Sequence, residues 1–233
     1  MTDPGLPLGP LVDVTPARRP VPITLHGRHC TLRPLDPARD SEALYAATHG
    51  AGRESLWAYL STPPYDSGEA FRDGVVQRAA STDPLFFAIE VDGEARGWCS
   101  LMRVTPEHRV IEVGHVLFAP RLQRTAAATE AVYLLARHVF DDLGYRRLEW
   151  KCDALNAPSR RAALRLGFAF EGVFLQHMIV KGRSRDTAWY AMLDRDWPTC
   201  RAAFAAWLAP ENFAAAGRQR ETLAGWRERV ARA

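Results

Sequence analysis

The chain has 233 residues, a net charge of +3 and an apolar fraction of 47%, which fits one globular domain with additions at its ends. The mild charge does not demand nucleic acid, and the apolar runs are too short to cross a bilayer. Four cysteines without a CxxC pair argue against a zinc site and a disulfide scaffold, and they favour a reducing, cytoplasmic setting.

The first half of the chain predicts strands and helices after a proline-rich start. Residues 1–22 lack periodicity, so they predict an extended arm lying on the body or a disordered segment. The elements that follow are a strand over 23–35 broken near Gly27, a helix over 36–48, a short helix over 55–60, a helix capped by Ser67 and ending near 80, and a hairpin of 85–91 and 95–102.

The second half predicts a parallel pair of central strands. The expected elements are a strand over 109–118, a helix over 125–143, a strand over 147–154, a helix over 158–167, a hairpin of 168–180 and 186–193, and helices near 198–208 and 211–231. Because one helix separates strands 109–118 and 147–154, they should be parallel with a right-handed crossover. The predicted fold class is α/β (α+β), a mixed central sheet with helices on both faces and C-terminal helices.

The turn between strand 109–118 and the next helix carries the main functional signal. The strand ends at Phe118, and the helix opens with small residues after Arg121 and Arg124. The start of a helix presents unpaired amides and the positive end of the dipole. Arginines at such an end are unfavourable unless an anion binds there, so the turn predicts a site for a phosphate-bearing ligand. The alternative is two solvated arginines.

Motifs in three regions resemble the GNAT superfamily of acetyl-CoA-dependent N-acetyltransferases. Residues 123–128 (Gln-Arg-Thr-Ala-Ala-Ala) follow its acyl-CoA turn, (Gln/Arg)-x-x-Gly-x-(Gly/Ala), except that Ala126 replaces glycine. Residues 128–131, 156–168 and 186–193 resemble the branch that includes the ribosomal-protein N-terminal acetyltransferases. The resemblance implies a GNAT-like sheet and divides the chain into an arm (1–22), an acetyltransferase domain (23–197) and a C-terminal helical extension (198–233).

The resemblance implies transfer of an acetyl group from acetyl-CoA, the cosubstrate, to a primary amine by direct attack in a ternary complex. The cofactor-binding residues that it implies are Val116, Leu117, Phe118, Gln123, Arg124, Thr125, Ala126, Ala127, Ala128, Thr129, Asn156 and Ser159. Alanine is the smallest replacement for glycine, so we expect the turn to survive with weaker CoA affinity. Ser159 is also a candidate proton donor to the leaving thiolate; the alternatives are a capping role for Ser159 and a turn role for Asn156.

Glu112 is the candidate catalytic base, because a carboxylate is out of pattern on an otherwise apolar strand. Partial burial would raise its pKa toward the range useful for catalysis. The alternatives are that the Glu112 side chain faces water or pairs with an arginine. In either case a chain of water molecules would act as the base. His115 is expected on the opposite face with Ile111, Val113 and Leu117, as a packed core residue.

Aromatic residues between the first helices are candidates for binding the acceptor. Trp57, Tyr59 and Tyr65 lie where the superfamily shapes its acceptor groove, and the alternative is that they close the core. The acceptor is a protein N-terminus or a small amine. The competing function is a non-catalytic acyl-CoA-binding or interaction module, which the Ala126 departure favours. No nucleic acid, membrane or metal partner is predicted, and the C-terminal helices pack on the body or form a homodimer.

Overall fold

The fold is built on one eight-stranded sheet in a computed structural model that describes residues 7–215 and 217–232. The strands are β1 (Leu25–His26), β2 (Thr31–Pro34), β3 (Leu85–Val91), β4 (Glu94–Thr105), β5 (Val110–Phe118), β6 (Arg147–Asp153), β7 (Ala169–Val180) and β8 (Arg183–Leu193). Their spatial order is β1-β2-β3-β4-β5-β6-β8-β7. The β5–β6 pair is parallel, as predicted, and the other neighbouring pairs are antiparallel.

Helices cover both faces of the sheet, which confirms the predicted fold class. They are α1 (Pro37–Thr48), α2 (Gly68–Ala79), α3 (Ala126–Arg137), α4 (Ala157–Leu166), α5 (Trp197–Leu208) and α6 (Leu223–Arg232). The predicted helix over 55–60 is a short 3-10 turn, Glu54–Trp57, and a π turn, His138–Asp142, extends α3. None of the helices in the described residues has the length and apolar character that a membrane span requires.

Two hydrophobic cores lie on the two faces of the sheet. Alternate residues of β3 divide between them: Phe87 belongs to the larger core and Phe86 to the smaller. The larger core includes residues of α3 and α5, and the smaller core includes Trp57, Phe71 and Trp98 beneath α1 and α2. This division follows from the period of two along a strand, and it assigns each residue of β5 and β6 to one side of the sheet.

The N-terminal arm contacts the body within its described part. Residues 7–22 form no regular helix or strand, but the amides of Ala17 and Arg18 donate to the carbonyls of Pro106 and Leu143 at 3.0 and 3.1 Å. Asp13 also lies 3.5 Å from the Arg109 guanidinium. The described part of the arm therefore lies on the body near these residues. The first six residues of the predicted arm lie outside the described residues.

The predicted C-terminal helix over 211–231 is wrong in its first half. Residues 210–212 form a single 3-10 turn, and α6 begins only at Leu223. The buried Asn212 amide group donates to the carbonyls of Trp207 and Glu221 and accepts from the Glu221 amide and the Trp226 indole. These tertiary hydrogen bonds stabilise a compact loop, and they outweigh the local helix propensity of the alanine-rich segment.

Candidate active site

A large cleft opens where the two parallel strands separate. Strands β5 and β6 pair only from Val110 to Val113 and from Arg147 to Trp150. Beyond that point lies a cavity of about 1830 Å³, which exceeds the usual size of a site for one small ligand. The cleft therefore has room for a cosubstrate and an acceptor together.

A bulge in β5 reorganises the wall of this cleft. In β4, the paired residues Trp98 and Ser100 are two positions apart. Their partners in β5, Leu117 and Gly114, are three positions apart, so β5 has one extra residue there. His115, within this stretch, has a φ of 49°. The inserted residue takes backbone groups out of the ladder and reverses the alternation of side chains. Val116 and Phe118, as predicted cofactor contacts, line the cleft together with Leu117.

The bulge also corrects the predicted position of His115. Ile111 and Val113 lie in the larger core, whereas Leu117 lies in the smaller one. The ring of His115 packs at a tilt against Phe86 of the smaller core, with ring centroids 5.4 Å apart, and His115 lines the cleft. The prediction that one face holds all four residues is wrong, because it assumed an unbroken alternation. Burial lowers the pKa of His115, and the charge of Arg78 adds to this effect.

The phosphate turn has the geometry of an exposed helix start. Thr125 is the N-cap of α3: its hydroxyl accepts from the Ala128 amide at 3.1 Å and donates to the Leu122 carbonyl at 2.6 Å. Within the described residues, the amides of positions 124–127 find no hydrogen-bond acceptor. Such unpaired amides, at the positive end of the helix, suit a diphosphate.

Ala126 occupies the first position of α3 in an ordinary helical conformation. The left-handed residue of the turn is Arg124, with a φ of 61°. Glycine's conformational freedom is therefore not required at position 126. Gln123 donates to the Phe118 carbonyl at 3.0 Å and so ties the turn to the end of β5.

Most of the predicted turn residues line the cleft. Those that do so are Gln123, Arg124, Thr125, Ala126, Ala128 and Thr129. Ala127 does not line it, and its side chain packs in the larger core.

Further arginines line the same end of the cleft, and the sequence analysis did not identify them. Arg28, Arg161 and Arg165 join Arg124 there, and none of the four forms an ion pair within the described residues. Arg165 donates to the Thr129 hydroxyl at 3.0 Å and lies over the Trp207 ring at 5.0 Å. Arg161 and Arg165 are four residues apart and therefore lie on one face of α4. This spacing was the feature of the sequence that could have identified them as a pair.

A buried glutamate of α3 holds the loop that carries Arg28. The carboxylate of Glu130 accepts from the amides of Arg28, His29 and Cys30 at 2.9, 2.5 and 2.9 Å. Gly27 leaves room for this carboxylate, because a Cβ there would clash with it. Helix α3 therefore positions the β1–β2 turn at the edge of the cleft.

The Glu130→Gln variant is expected to lose about 3 kcal/mol of folding free energy. Glutamine has one acceptor oxygen where three amides donate, and hydrogen bonds to a charged group each contribute about 1.5–3 kcal/mol. Chemical denaturation measures the loss. Glu42→Gln, on the exposed face of α1, is the matched control and should leave the free energy of unfolding unchanged. A Glu130→Gln protein as stable as the control would contradict the anchoring role.

Glu112 is buried in the wall of the cleft. Its carboxylate lies 3.0 Å from the Lys151 ammonium and 3.8 Å from the Arg103 guanidinium. Lys151 also pairs with Glu149 at 2.7 Å and lies 3.8 Å from the centre of the Trp189 ring. Burial raises the pKa of Glu112, and the neighbouring Lys151 charge opposes part of that rise. A carboxylate with a raised pKa suits proton transfer near neutral pH.

Asn156 and Ser159 lie together at the start of α4. Asn156 is the N-cap and accepts from the Ser159 amide at 3.1 Å, so the predicted alternative that Ser159 caps the helix is wrong. The Ser159 hydroxyl instead accepts from the Trp150 indole at 3.0 Å. Because a hydroxyl both accepts and donates, its own proton is still available. Both residues line the cleft.

The three predicted acceptor-binding aromatics have different surroundings. Trp57 is 1% exposed in the smaller core, and its indole donates to the Thr48 carbonyl. Tyr65 packs against the same core and accepts from Arg78. The alternative that these aromatics close the core therefore holds for Trp57 and Tyr65. Tyr59 alone of the three lines the cleft, where its hydroxyl donates to the Leu155 carbonyl at 3.2 Å.

The segment around Tyr59 and the β7–β8 hairpin contact each other across the cleft. Lys181, at the tip of that hairpin, donates to the carbonyls of Trp57 and Ala58 at 2.8 and 3.0 Å. His177 and Arg185 of the same hairpin line the cleft below. His177, Arg185 and Lys151 are not among the residues predicted from the sequence. For Lys151 the available signal was the alternation of apolar and charged residues along β6, which puts it on the opposite face from Trp150 and Cys152.

Comparisons with known proteins agree with this geometry. A family model described as the acetyltransferase (GNAT) domain matches residues 29–169. A GCN5-related N-acetyltransferase from Brucella melitensis is 44% identical with a TM-score of 0.90, and the match covers 92% of this chain and 98% of that one. The uncharacterized N-acetyltransferase YnaD of Bacillus subtilis is 32% identical over 37% of this chain, which spans only 50% of YnaD.

A more distant neighbour shares the fold. RimJ from Mycobacterium smegmatis, solved in complex with CoA-disulfide, has 24% identity and a TM-score of 0.65 over 76% of this chain and 90% of that one. At this identity the likeness establishes the fold. Together with the family match over more than half of the sequence, these similarities show that the chain belongs to the GNAT acetyltransferase family.

Proposed function

We propose that this protein transfers the acetyl group of acetyl-CoA to a primary amine, a protein N-terminus or a small amine, by direct attack in a ternary complex. The observation that carries the proposal is one continuous cleft. Unpaired amides of the α3 turn lie at one end of it, and the buried Glu112–Lys151 pair lies on the acceptor side. A phosphate-binding end and a proton-accepting end are what this reaction requires.

The residues at the phosphate end fit the nucleotide part of the cosubstrate. The amides of 124–127 and the unpaired arginines 124, 161 and 165 face one region of the cleft. Charge-assisted hydrogen bonds from such groups stabilise phosphate oxygens. Val116, Leu117 and Phe118 would contact the pantetheine arm along the β5 bulge. The bulge amides would polarise the thioester carbonyl, which gains negative charge as the amine attacks.

The residues on the acceptor side supply the proton transfers. Glu112, directly or through water, takes a proton from the acceptor ammonium, and the neutral amine forms a bond with the carbonyl carbon. The carbon–sulfur bond then breaks with its electron pair on sulfur, and the nitrogen releases its second proton to solvent. The Ser159 hydroxyl, held by Trp150, donates a proton to that thiolate and is reprotonated from solvent. The products are an acetamide and CoA.

The accompanying assignments stay predictions of the same kind. They are the division into residues 1–22, 23–197 and 198–233, the contact of Tyr59 with the acceptor, and a homodimer through the C-terminal helices. In the monomer, α5 contributes Trp197, Phe204 and Trp207 to the larger core, which supports packing of the extension on the body.

Thiol release from acetyl-CoA tests the proposed function. We expect release with at least one member of a panel of primary amines and N-terminal peptides, and mass spectrometry should find one acetyl group added to that acceptor. Reactions without acceptor give the background rate. If CoA binds in calorimetry but no acceptor releases thiol or gains an acetyl group, the protein acts as an acyl-CoA-binding module instead.

A further inference from the structure

A buried donor of Arg185, on β8, lacks an acceptor where this residue lines the cleft. The Nε of Arg185 has no hydrogen-bond partner within the described residues. Arg185 lines the cleft and forms no ion pair with a described carboxylate. A buried donor without an acceptor is costly, and the cost is greater for a charged group. Arg185 therefore indicates a ligand that supplies acceptor atoms.

The two cations beside Glu112 already have carboxylate partners. Lys151 lies between Glu112 and Glu149, and Arg103 approaches Glu112 at 3.8 Å. His177 bonds to the Thr187 hydroxyl at 3.0 Å. Arg185 differs from Lys151 and Arg103 because it has no carboxylate beside it within the described residues.

We propose that Arg185 binds a carboxylate of the acceptor, so that the acceptor substrate is an amine with an acidic group. This inference rests on the proposed acetyl transfer. A guanidinium only donates hydrogen bonds, and its planar fork matches the two oxygens of a carboxylate.

The position of Arg185 along β8 indicates how far the carboxylate lies from the amine. Trp189 pairs with Lys151, and Arg185 follows on the same face, four residues along the strand. At about 3.3 Å per residue, the Arg185 backbone lies about 13 Å along the strand from the level of the Glu112–Lys151 pair, and the side chain can reach back over part of that distance. An extended peptide covers that length in about four residues. The spacing favours an acidic side chain near the N-terminus of a peptide over the α-carboxylate of a free amino acid.

Matched acceptor pairs test the assignment and distinguish the two sources of carboxylate. One arm uses peptides with Glu or Gln at the second, third or fourth position, and the other uses free amino acids and their amides. We expect kcat/KM to favour a Glu peptide over its Gln partner by about tenfold or more, as for a hydrogen-bonded charge pair. Arg185→Ala should remove this ratio while the Kd for CoA stays the same.

Two further variants keep the test decisive. Arg185→Lys keeps the charge without the fork, so it should retain part of the ratio even if the alanine variant does not fold. Arg183→Ala, an exposed arginine two residues earlier that does not line the cleft, should keep the full ratio. Thiol release without a charge preference, or a preference that both Arg185 variants fully keep, overturns the acceptor assignment alone. No release with any acceptor overturns the proposed function itself.

Discussion

The Ala126→Glu variant is expected to bind CoA at least about a hundredfold more weakly than the natural protein while remaining folded. Position 126 is the first residue of α3, beside amides that have no acceptor within the described residues. A carboxylate there meets the diphosphate with like charge, which costs several kcal/mol. The same carboxylate is favourable for the helix, because it lies at the positive end of the dipole. Calorimetric titration with CoA and thermal unfolding measure the two effects separately.

Two control variants separate the charge from other changes. Ala38→Glu places the same side chain in the first turn of α1, where Ala38 is exposed, and it should leave CoA affinity unchanged. Ala126→Gly restores the superfamily residue and should bind CoA at least as tightly, although glycine costs the helix about 1 kcal/mol. If Ala126→Glu binds CoA as well as the natural protein, the phosphate site does not lie at this turn.

The second large effect is expected from Glu112→Gln, which should lower turnover by about tenfold or more with CoA affinity intact. Glutamine keeps the size of the side chain and cannot accept the proton. In the natural protein the ionised carboxylate is the active form, and burial raises the pKa of Glu112. Activity should therefore fall as the pH drops through that raised pKa, and the variant should lose this acid limb. Turnover against pH, at saturating acetyl-CoA, measures both effects.

Glu107→Gln is the matched control for this prediction. Glu107 is exposed in the turn between β4 and β5, and its substitution should change neither turnover nor the pH profile. If Glu112→Gln keeps full turnover from about pH 6 to 9, the base is a water chain that does not pass through this carboxylate.

The sequence was sufficient for elements whose boundaries depend on local chemistry. Asp36 caps α1 and Pro37 opens it, because an extended cap residue and a fixed proline φ are both local properties. The Asp92-Gly93 turn forms for the same reason, with positive φ at both residues. The phosphate turn was also visible, since a strand, small residues and a helix are contiguous there.

The sequence was insufficient where a residue's surroundings come from distant segments. The bulge in β5 shifts Leu117 to the other core. Gly114, beside the bulge, was a signal for it in the sequence, but the glycine alone does not specify which later side chains change face. Asn212 replaces half of a predicted helix with a loop, because its partners lie on neighbouring segments. Trp57 and Tyr59 are close in sequence, yet one lies in the core and the other in the cleft.

The sequence by itself determined the class of fold, the parallel central pair and the turn that presents amides to an anion, because these depend on periodicity and on contiguous residues. Only the tertiary structure decided which charges share the cleft. Arg28 lines the cleft because Glu130, about a hundred residues away in the sequence, accepts hydrogen bonds from the loop that carries it. Lys151 meets Glu112 because their strands are parallel neighbours. Long-range pairing of charges depends on chain folding, so no local pattern could have specified it.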